Sequence, residues 1–284
     1  ANMHGGIYFS LSLSPTDIME ELYRDLSPLE KGVYADIMKI FQADRAVTVQ
    51  PAAHYFEGGV RIDERCAAGL AGLYAAGECT GGMFGANRVS AATTEMLVEG
   101  ARAGESAGLF AKEAGTAMAS SGKLEELEHA LCAGFGRKGR TTTTQMLRRL
   151  RACVGESLTV MRTEQALAKA LQAVREMGGE MDAVGFTDQS RVYNREWMEF
   201  IRLRNMLLTA QAILQSALAC KESRGVHVRA DYLVTDDVHF LTNTVVEGPD
   251  LRCRTQDVVF DRYTPERVTQ SYTDYVERIV EQLQ

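Results

Sequence analysis

The sequence of 284 residues lacks cysteine pairs, long apolar runs and an excess of positive charge. Its six cysteines are scattered, none forms a C-x-x-C pair, and no paired histidine completes a metal-ligand set. We therefore expect reduced thiols and no zinc or iron–sulfur site within the chain. No apolar run reaches the roughly 18 to 20 residues that cross a bilayer, so no transmembrane segment is predicted. The net charge of -7 argues against binding to the phosphate backbone of nucleic acids.

A secretory signal is also missing, because Asp17, Glu20 and Glu21 interrupt the first apolar residues. This pattern predicts a cytoplasmic protein, or one bound peripherally to the inner face of the cytoplasmic membrane. The 45% of apolar and 24% of charged residues are typical of a globular protein with a substantial core. Because the chain begins with Ala1 rather than Met, we interpret it as a cut or processed product.

Short extended and helical segments are predicted in the first part of the chain. Alternation of apolar and small polar residues predicts a strand over 5–13, and apolar residues on recurring faces predict a helix over 15–42. The apolar run AGLYAA at 71–76 stops at a glycine and is typical of a buried strand. A glycine-rich stretch follows, and a helix is predicted from about Ala92 to about Lys112.

Between Lys123 and Cys220 the sequence becomes strongly helical, with apolar residues at spacings of three and four. Three stripes predict three helices that pack as an antiparallel bundle. The stripes are Leu147, Leu150, Val154, Leu158 and Met161; Leu167, Leu171 and Val174; and Trp197, Ile201, Leu208 and Leu218. The second helix is predicted to begin after Thr163 and to end at a Gly-Gly pair. Beyond Ser223 the composition predicts extended segments bounded by polar turns.

Three segments hold residues that are suited to binding or catalysis. The first, HYFEGG, contains His54, although a lone histidine is more often structural than functional. The second, AGECTGGMFGANR, runs through Glu78 and several glycines to Arg88. Many α/β proteins bind ligands at such a loop before a helix, yet this is not G-x-G-x-x-G and is weak evidence alone. The third, KESRGVHVR, is by itself a charged helix end whose cations meet the last carbonyls.

Taken together, these segments carry a resemblance to a known family. HYFEGGV, LYAAGEC, GANR and ESRGVHVRADY, in this order, resemble the flavoproteins of succinate dehydrogenase, fumarate reductase and L-aspartate oxidase. The resemblance runs from GGIYFSLSL to RYTPERV and implies the C-terminal half of such a flavoprotein. The implied fold class is α+β/α. Its domains would be the end of a capping domain (1–52), the C-terminal part of an FAD-binding domain (53–115), a three-helix bundle (120–222) and a small β-containing C-terminal extension (223–284).

The resemblance also implies roles for five residues. His54 matches the histidine of the family's H-Y-x-x-G-G motif, which hydrogen-bonds a carboxylate of the dicarboxylate substrate. Arg88 matches the arginine of G-A-N-R, whose planar guanidinium clamps a carboxylate with two parallel donors. Glu78 matches the acidic residue that touches the ribityl or ribose part of the flavin. Thr93 and Thr94 match positions against the isoalloxazine ring, at a helix start whose dipole favours negative charge on reduced flavin.

Parts of the family pattern are absent from this sequence. The dinucleotide fold with which the family begins, and the arginine that serves the family as catalytic acid, have no match here, so no catalytic residue is assigned. The chain also reads VSAATT after GANR, where family members usually continue L-G/A-G/S-N-S-L. The resemblance implies FAD as the cofactor of the complete protein, and we expect that this chain alone does not retain it. The implied partners are the missing N-terminal FAD-binding half, a dicarboxylate substrate and an iron–sulfur subunit.

The function implied by the resemblance is hydride transfer between flavin N5 and a dicarboxylate, which interconverts fumarate and succinate. An L-aspartate oxidase-like flavoenzyme, or a family member acting on another unsaturated acid, is an alternative of the same class. A non-catalytic fragment that docks an iron–sulfur subunit is an alternative of a different class. On every alternative we expect the chain alone to be inactive, because the catalytic arginine and the dinucleotide fold are missing from it.

Overall fold

The computed structural model describes residues 7–10, 24, 27–28, 46–49, 54–81, 92–116, 120–260 and 262–282. The chain divides into two compact units, Ala1–Tyr55 and Phe56–Gln284. In the first unit, strands β1 (Ile7–Ser10) and β2 (Ala46–Val49) pair antiparallel, with Ile7 opposite Val49. The strand predicted over 5–13 is therefore present in part as β1. The helix predicted over 15–42 falls almost wholly outside the described residues.

The second unit opens with turns, and the prediction of a buried strand over 71–76 is wrong. The carboxylate of Asp63 accepts hydrogen bonds from the backbone N–H groups of Arg65 and Ala67, and these bonds fold residues 63–67 into a compact turn. Gly69 and Gly72 then take positive φ angles of 79° and 82°, a conformation that reverses the chain. Asp and Gly turn chemistry outweighs the short apolar run, and Leu73 of that run is exposed.

Helix α1 spans Ala92–Ala114, close to the predicted bounds, and packs against a short 3₁₀ turn at Gly77–Cys79. Its buried side chains are two glutamates and an alanine, namely Glu95, Glu99 and Ala103. Apolar side chains of α1 lie on the exposed side instead, with Leu97 at 64% exposure. Helix α2 spans Ser121–Leu131 and has no buried residue. The part of the chain around α1 and α2 therefore leaves apolar surface open.

Three further helices, α3 (Thr143–Ser157), α4 (Glu164–Gly179) and α5 (Arg195–Ala219), pack on one another around the main core. Each begins at a polar cap, as expected where free N–H groups need acceptors. Thr142 caps α3 in a capping box with Gln145, Thr163 caps α4, and Asn194 caps α5. The core comprises Met146, Leu147, Leu150, Leu167, Ala170, Leu171, Val174, Met177, Val184, Phe186, Phe200, Leu203, Leu207, Ala210, Leu214 and Ala217.

The predicted stripes agree with the buried faces of α3 and α4 but not of α5. Helix α4 begins after Thr163 and ends at Gly179, as predicted, and its predicted stripe is fully buried. In α5 the predicted Leu208 is 56% exposed, and the neighbouring Leu207 is buried in its place. Helix α5 contacts α3, α4 and a C-terminal hairpin. Its apolar residues therefore lie on more than one side of the helix and do not follow a single helical period. In the first stripe, Leu147 and Leu150 are buried in α3, whereas Leu158 and Met161 lie beyond its end and Met161 is exposed.

Short strands and one helix complete the second unit. The elements are β3 (Met161–Arg162), β4 (Val228–Arg229), β5 (Val234–Asp236), β6 (Thr242–Glu247), β7 (Arg252–Asp257), β8 (Thr269–Ser271) and α6 (Tyr272–Gln282). β3 pairs with β4 in parallel, whereas β5–β8 and the hairpin β6–β7 are antiparallel. The extended segments predicted after Ser223 are thus present. Among the described residues, no helix has the length and apolar composition that crossing a membrane would require.

Candidate functional site

Four of the five predicted site residues fall within the described residues. His54 is exposed and belongs to the first unit. Glu78, Thr93 and Thr94 are exposed in the second unit, the first on the 3₁₀ turn and the other two in the first turn of α1. Arg88 lies outside the described residues. The structure therefore brings Glu78 and the threonine pair onto two elements that pack together, and it adds nothing on Arg88.

The turn that carries Glu78 requires a glycine at its start. Gly77 has a φ of 77°, and a Cβ at this position would lie 3.1 Å from the Cβ of Met96 on α1. The backbone N–H of Thr80 donates to the carbonyl of Gly77 over 2.9 Å and closes the turn. Glycine here meets both the left-handed conformation and the close approach of α1. Its replacement would move the turn and, with it, the Glu78 carboxylate.

The segment from Phe56 to Val60 also holds this turn through hydrogen bonds. The backbone N–H of Phe56 donates to Glu78 Oε1 over 2.9 Å, and the N–H of Val60 donates to the carbonyl of Cys79 over 2.8 Å. A Cβ on Gly59 would lie 2.3 Å from that carbonyl oxygen, so only glycine allows this approach. The second glycine of HYFEGG thus serves close backbone packing against the Glu78 turn.

Helix α1 holds the turn from inside through Glu99, a residue that the sequence reasoning missed. Glu99 is 5% exposed. Its Oε2 accepts the backbone N–H of Gly77 over 2.7 Å and lies 3.3 Å from the hydroxyl oxygen of the buried Thr80. No sequence signal distinguishes Glu99 from an exposed glutamate, because its partner Gly77 lies 22 positions earlier in the chain. A buried carboxylate needs donors, and the turn supplies them.

These residues fit part of a flavin. Glu78 offers an exposed carboxylate, on a turn fixed from two sides, that can accept hydrogen bonds from hydroxyl groups. Thr93 and Thr94 offer exposed hydroxyls in the first turn of α1, where backbone N–H groups point out of the helix and favour negative charge. The sequence spells G-x-G-x-x-G once, at 134–139, but there it follows helix α2 rather than a strand. Gly134 and Gly139 approach Phe186 and Gly185 of the same chain closely, so the segment lacks the context of a pyrophosphate loop. The described residues therefore suit the ribityl and ring part of FAD and not its adenine-nucleotide part.

The ESRGVHVRADY segment forms ionic clusters inside the protein. Arg224 donates from Nε and Nη2 to the buried carboxylate of Glu222, over 2.8 and 3.0 Å, and from Nη2 to Asp237 over 2.7 Å. Glu222 also accepts the backbone N–H of Asp236 over 2.9 Å. These bonds join the end of α5 to β5. The guanidinium of Arg224 is thus already occupied by two carboxylates of the chain, as expected for a structural residue.

Arg229 is the most completely buried cation among the residues that the structure describes, at 0% exposure. Its Nε and Nη2 donate to both oxygens of Asp231 over 2.8 and 3.0 Å, and its Nη1 donates to the carbonyls of Ala217 and Cys220. The interpretation of this segment as a helix end whose cations meet the last carbonyls is thus confirmed for Arg229. The hydrogen bonds from Arg229 lower the pKa of the Asp231 carboxyl to about 2.

His227 lies between two cations in the same region. Its Nδ1 is 2.7 Å from Nη1 of Arg162, and its Nε2 is 3.1 Å from the carbonyl oxygen of Cys220. The arginine can only donate, so Nδ1 accepts and Nε2 carries the proton. Burial, followed by the charges of Arg162 and Arg229, lowers the pKa of His227 to about 4. The imidazole is neutral at pH 7 and acts as a structural bridge between β3, β4 and the end of α5.

Comparison with known proteins relates both parts of the chain to one family. The family model for the fumarate reductase flavoprotein C-terminal region matches residues 147–272, and a model for an FAD-binding domain matches residues 12–94. The fumarate reductase flavoprotein subunit of a Serratia species is 34% identical over 205 residues, which are 70% of this chain and 34% of the relative. One subunit of the fumarate reductase (CoM/CoB) of Methanothermobacter marburgensis is 33% identical over 81% of this chain and 41% of the relative.

Solved structures show the same relationship. The FrdA subunit of Escherichia coli quinol fumarate reductase superposes with a TM-score of 0.81 at 27% identity, over 91% of this chain and 45% of that chain. The Sdh1 complex of Mycobacterium smegmatis gives a TM-score of 0.75 at 30% identity, over 90% and 44%. The chain thus spans less than half the length of these relatives. It belongs to the fumarate reductase/succinate dehydrogenase flavoprotein family, whose cofactor is FAD.

Proposed function

We propose that this chain is part of an FAD-dependent oxidoreductase that transfers a hydride between flavin N5 and a dicarboxylate, interconverting fumarate and succinate. The observation that carries the proposal is the turn at Gly77–Cys79, which presents Glu78 at the surface and packs against the helix that carries Thr93 and Thr94. Several relatives are named as fumarate reductase flavoprotein subunits, which supports this substrate class.

The chain's own residues would bind and orient the cofactor and the substrate. Bound FAD supplies hydride transfer at N5. Glu78 would hold hydroxyl groups of the ribityl chain, and Thr93 and Thr94 would contact the ring. The free N–H groups of that turn would stabilise negative charge near the ring. His54 and Arg88 would hold the two carboxylates of the substrate, so that the reacting carbon faces the flavin in a fixed orientation.

We propose the domain division given by the resemblance for the complete protein: 1–52, 53–115, 120–222 as a three-helix bundle, and 223–284. The apolar surface around α1 supports the view that an N-terminal FAD-binding half covers the second of these domains. Phe56, Leu97 and Leu109 are exposed there, and large exposed apolar areas usually mark contact with another element. Because two of the solved relatives are quinol fumarate reductases, we also propose electron exchange with an iron–sulfur subunit, together with a place at the inner face of the cytoplasmic membrane.

The isolated chain should not retain FAD. The described residues suit only the ribityl and ring part of the cofactor. The G-x-G-x-x-G spelling at 134–139 follows a helix and not the strand that leads into a pyrophosphate-binding loop. The measurement is the visible absorbance of the purified chain after incubation with FAD and gel filtration. A chain that elutes yellow with one FAD per molecule would contradict this prediction.

Arg88→Lys should lower kcat/KM for fumarate in the complete flavoprotein. Lysine keeps the charge and loses the two parallel donors, so the loss should be about 1.5 to 3 kcal/mol, or roughly 10- to 150-fold. His54→Gln should be milder than Arg88→Lys if the imidazole acts only as a neutral donor, and more damaging if the imidazole must be cationic. Arg65→Lys is the matched control, because Arg65 is exposed on the loop near Asp63 and no substrate role is assigned to it. Wild-type kcat/KM in Arg88→Lys would remove Arg88 from the dicarboxylate site.

A further inference from the structure

Two carboxylates fix the turn Gly77–Cys79, one that belongs to the turn and one that belongs to α1. Glu78 belongs to the turn itself, is exposed, and accepts the Phe56 N–H. Glu99 belongs to α1, is buried, and accepts the Gly77 N–H. Burying a carboxylate costs several kcal/mol unless donors replace the lost water, so an apolar residue would serve simple packing at less cost. The glutamate at position 99 therefore indicates a requirement for an acceptor at this point.

That requirement follows from the geometry of the turn. The bond that closes the turn uses the carbonyl of Gly77 and the N–H of Thr80, which leaves the N–H of Gly77 in need of another acceptor. Glu99 Oε2 supplies it over 2.7 Å and also lies 3.3 Å from the Thr80 hydroxyl. One carboxylate thus contacts the residues on both sides of Glu78 and Cys79. It fixes the backbone that carries Glu78 relative to α1.

Helix α1 also carries Thr93 and Thr94 in its first turn. A helix of 23 residues is rigid over the short distance from its first turn to Glu99, so a turn bound to Glu99 is held at a set distance from the threonines. Without Glu99, Glu78 would still be held to Phe56 but no longer to α1 through its backbone. The spacing between the two groups of predicted flavin contacts would then depend on packing alone.

We propose that Glu99 is a positioning residue that sets the spacing between Glu78 and the Thr93–Thr94 pair so that both reach one flavin. Glu99 itself touches neither flavin nor substrate. The proposal rests on the proposed function, since it assumes that Glu78 and the threonines contact the flavin. It adds a residue that the resemblance leaves without a role, and it predicts that a side chain inside α1 controls how the cofactor is held.

The first test uses the isolated chain and needs no cofactor. In Glu99→Leu the N–H of Gly77 loses its acceptor, and its amide hydrogen exchange should become at least about tenfold faster, the equivalent of about 1.4 kcal/mol. Glu99→Gln keeps one carbonyl oxygen and should restore most of the protection. Glu105→Leu is the control, because Glu105 is exposed on the same helix. Unchanged exchange at Gly77 in a folded Glu99→Leu chain would overturn the proposal.

The second test uses the FAD-loaded complete protein. Glu99→Leu should weaken FAD binding at least about tenfold and alter the visible circular dichroism of the bound flavin, and Glu99→Gln should largely restore both. Should Glu99→Leu fail to fold, Glu99→Asp withdraws the carboxylate by one methylene and should shift the same two readouts in the same direction. A purely structural role would lower the melting temperature while leaving the affinity and the flavin spectrum of the folded protein unchanged. That outcome would overturn the proposal.

Glu78→Gln separates failure of the proposal from failure of the proposed function. If Glu78 contacts the flavin, Glu78→Gln should weaken FAD binding, and its effect should be non-additive with that of Glu99→Leu because both act through one turn. If Glu78→Gln weakens binding and Glu99→Leu does not, the positioning role is wrong and the flavin site stands. If Glu78→Gln has no effect, the assignment of Glu78 to the flavin is wrong, and the positioning role of Glu99 falls with it.

Discussion

Arg229→Ala should lower the free energy of unfolding of the isolated chain by about 3 to 5 kcal/mol, the usual cost of breaking a buried ion pair by removing one partner. The guanidinium is 0% exposed and donates to both oxygens of Asp231 and to the carbonyls of Ala217 and Cys220. Truncation would remove these hydrogen bonds, leave Asp231 without its ion-pair partner and create a cavity beside Tyr232, whose ring centroid is 5.0 Å from Cζ of Arg229. Equilibrium unfolding in urea measures the change.

Arg252→Ala is the matched control for that experiment. Arg252 also pairs with an aspartate, Asp250, but over 3.5 Å and with an exposed side chain, so its loss should cost less than about 1 kcal/mol. Arg229→Lys should fall between the two variants, because an ammonium group keeps the charge and cannot reproduce the fork that holds Asp231. Equal losses in Arg229→Ala and Arg252→Ala would contradict a role for burial and for the hydrogen-bond set of Arg229.

The folded chain should lose about 2 to 3 kcal/mol of stability between pH 6.5 and pH 4.5 through His227. Its pKa is about 4 in the folded state and 6.5 in a free histidine, because burial and the nearby Arg162 and Arg229 disfavour the charged ring. The unfolded chain therefore binds a proton at higher pH than the folded one. The contribution is fully present above about pH 6.5 and is lost as the pH falls towards 4.

Unfolding in urea at the two pH values measures this dependence for the wild type and for His227→Gln. Glutamine can accept from Arg162 and donate to the Cys220 carbonyl, so the variant should fold and should show a pH dependence that is weaker by about the stated amount. The carboxyl groups whose pKa is lowered, such as Asp231 and Asp236, lose their contribution below this pH window. His129→Gln is the control, because His129 is exposed on α2. A full wild-type pH dependence in His227→Gln would contradict the assignment.

Local features of the fold could be predicted from the sequence. Thr163 begins α4 and the buried face of Leu167, Leu171 and Val174 follows it, because capping and helical period depend on a few neighbouring residues. A Gly-Gly pair marks a tight turn or a close backbone approach, and Gly59 does approach the Cys79 carbonyl closely. The ESRGVHVR segment is predicted as a helix end, and Arg229 does bind the last carbonyls of α5.

Features that depend on distant residues could not be predicted. Leu208 of α5 has the spacing of a core residue, yet the helix has packed neighbours on several sides and buries Leu207 instead. The strand prediction over 71–76 is wrong for a local reason, because Gly72 inside the run takes a positive φ that turns the chain. Glu99 is a plain glutamate in the sequence, and its partner Gly77 is 22 positions away. The contacts of Arg88 stay a prediction from the resemblance.

The pairing of β3 with β4 has a consequence for the lifetime of the folded chain. It joins distant parts of the sequence, since the Asp231 carboxylate accepts the N–H of Glu164, 67 positions away. Closing so long a loop costs chain entropy before the contacts between β3 and β4 can offset that cost. We therefore expect this strand pair to form after the rate-limiting step of folding. Interactions that are absent from the transition state act on the unfolding rate alone. Arg229 and its neighbours should therefore leave the folding rate unchanged and lower the rate at which α4 and α5 separate during unfolding.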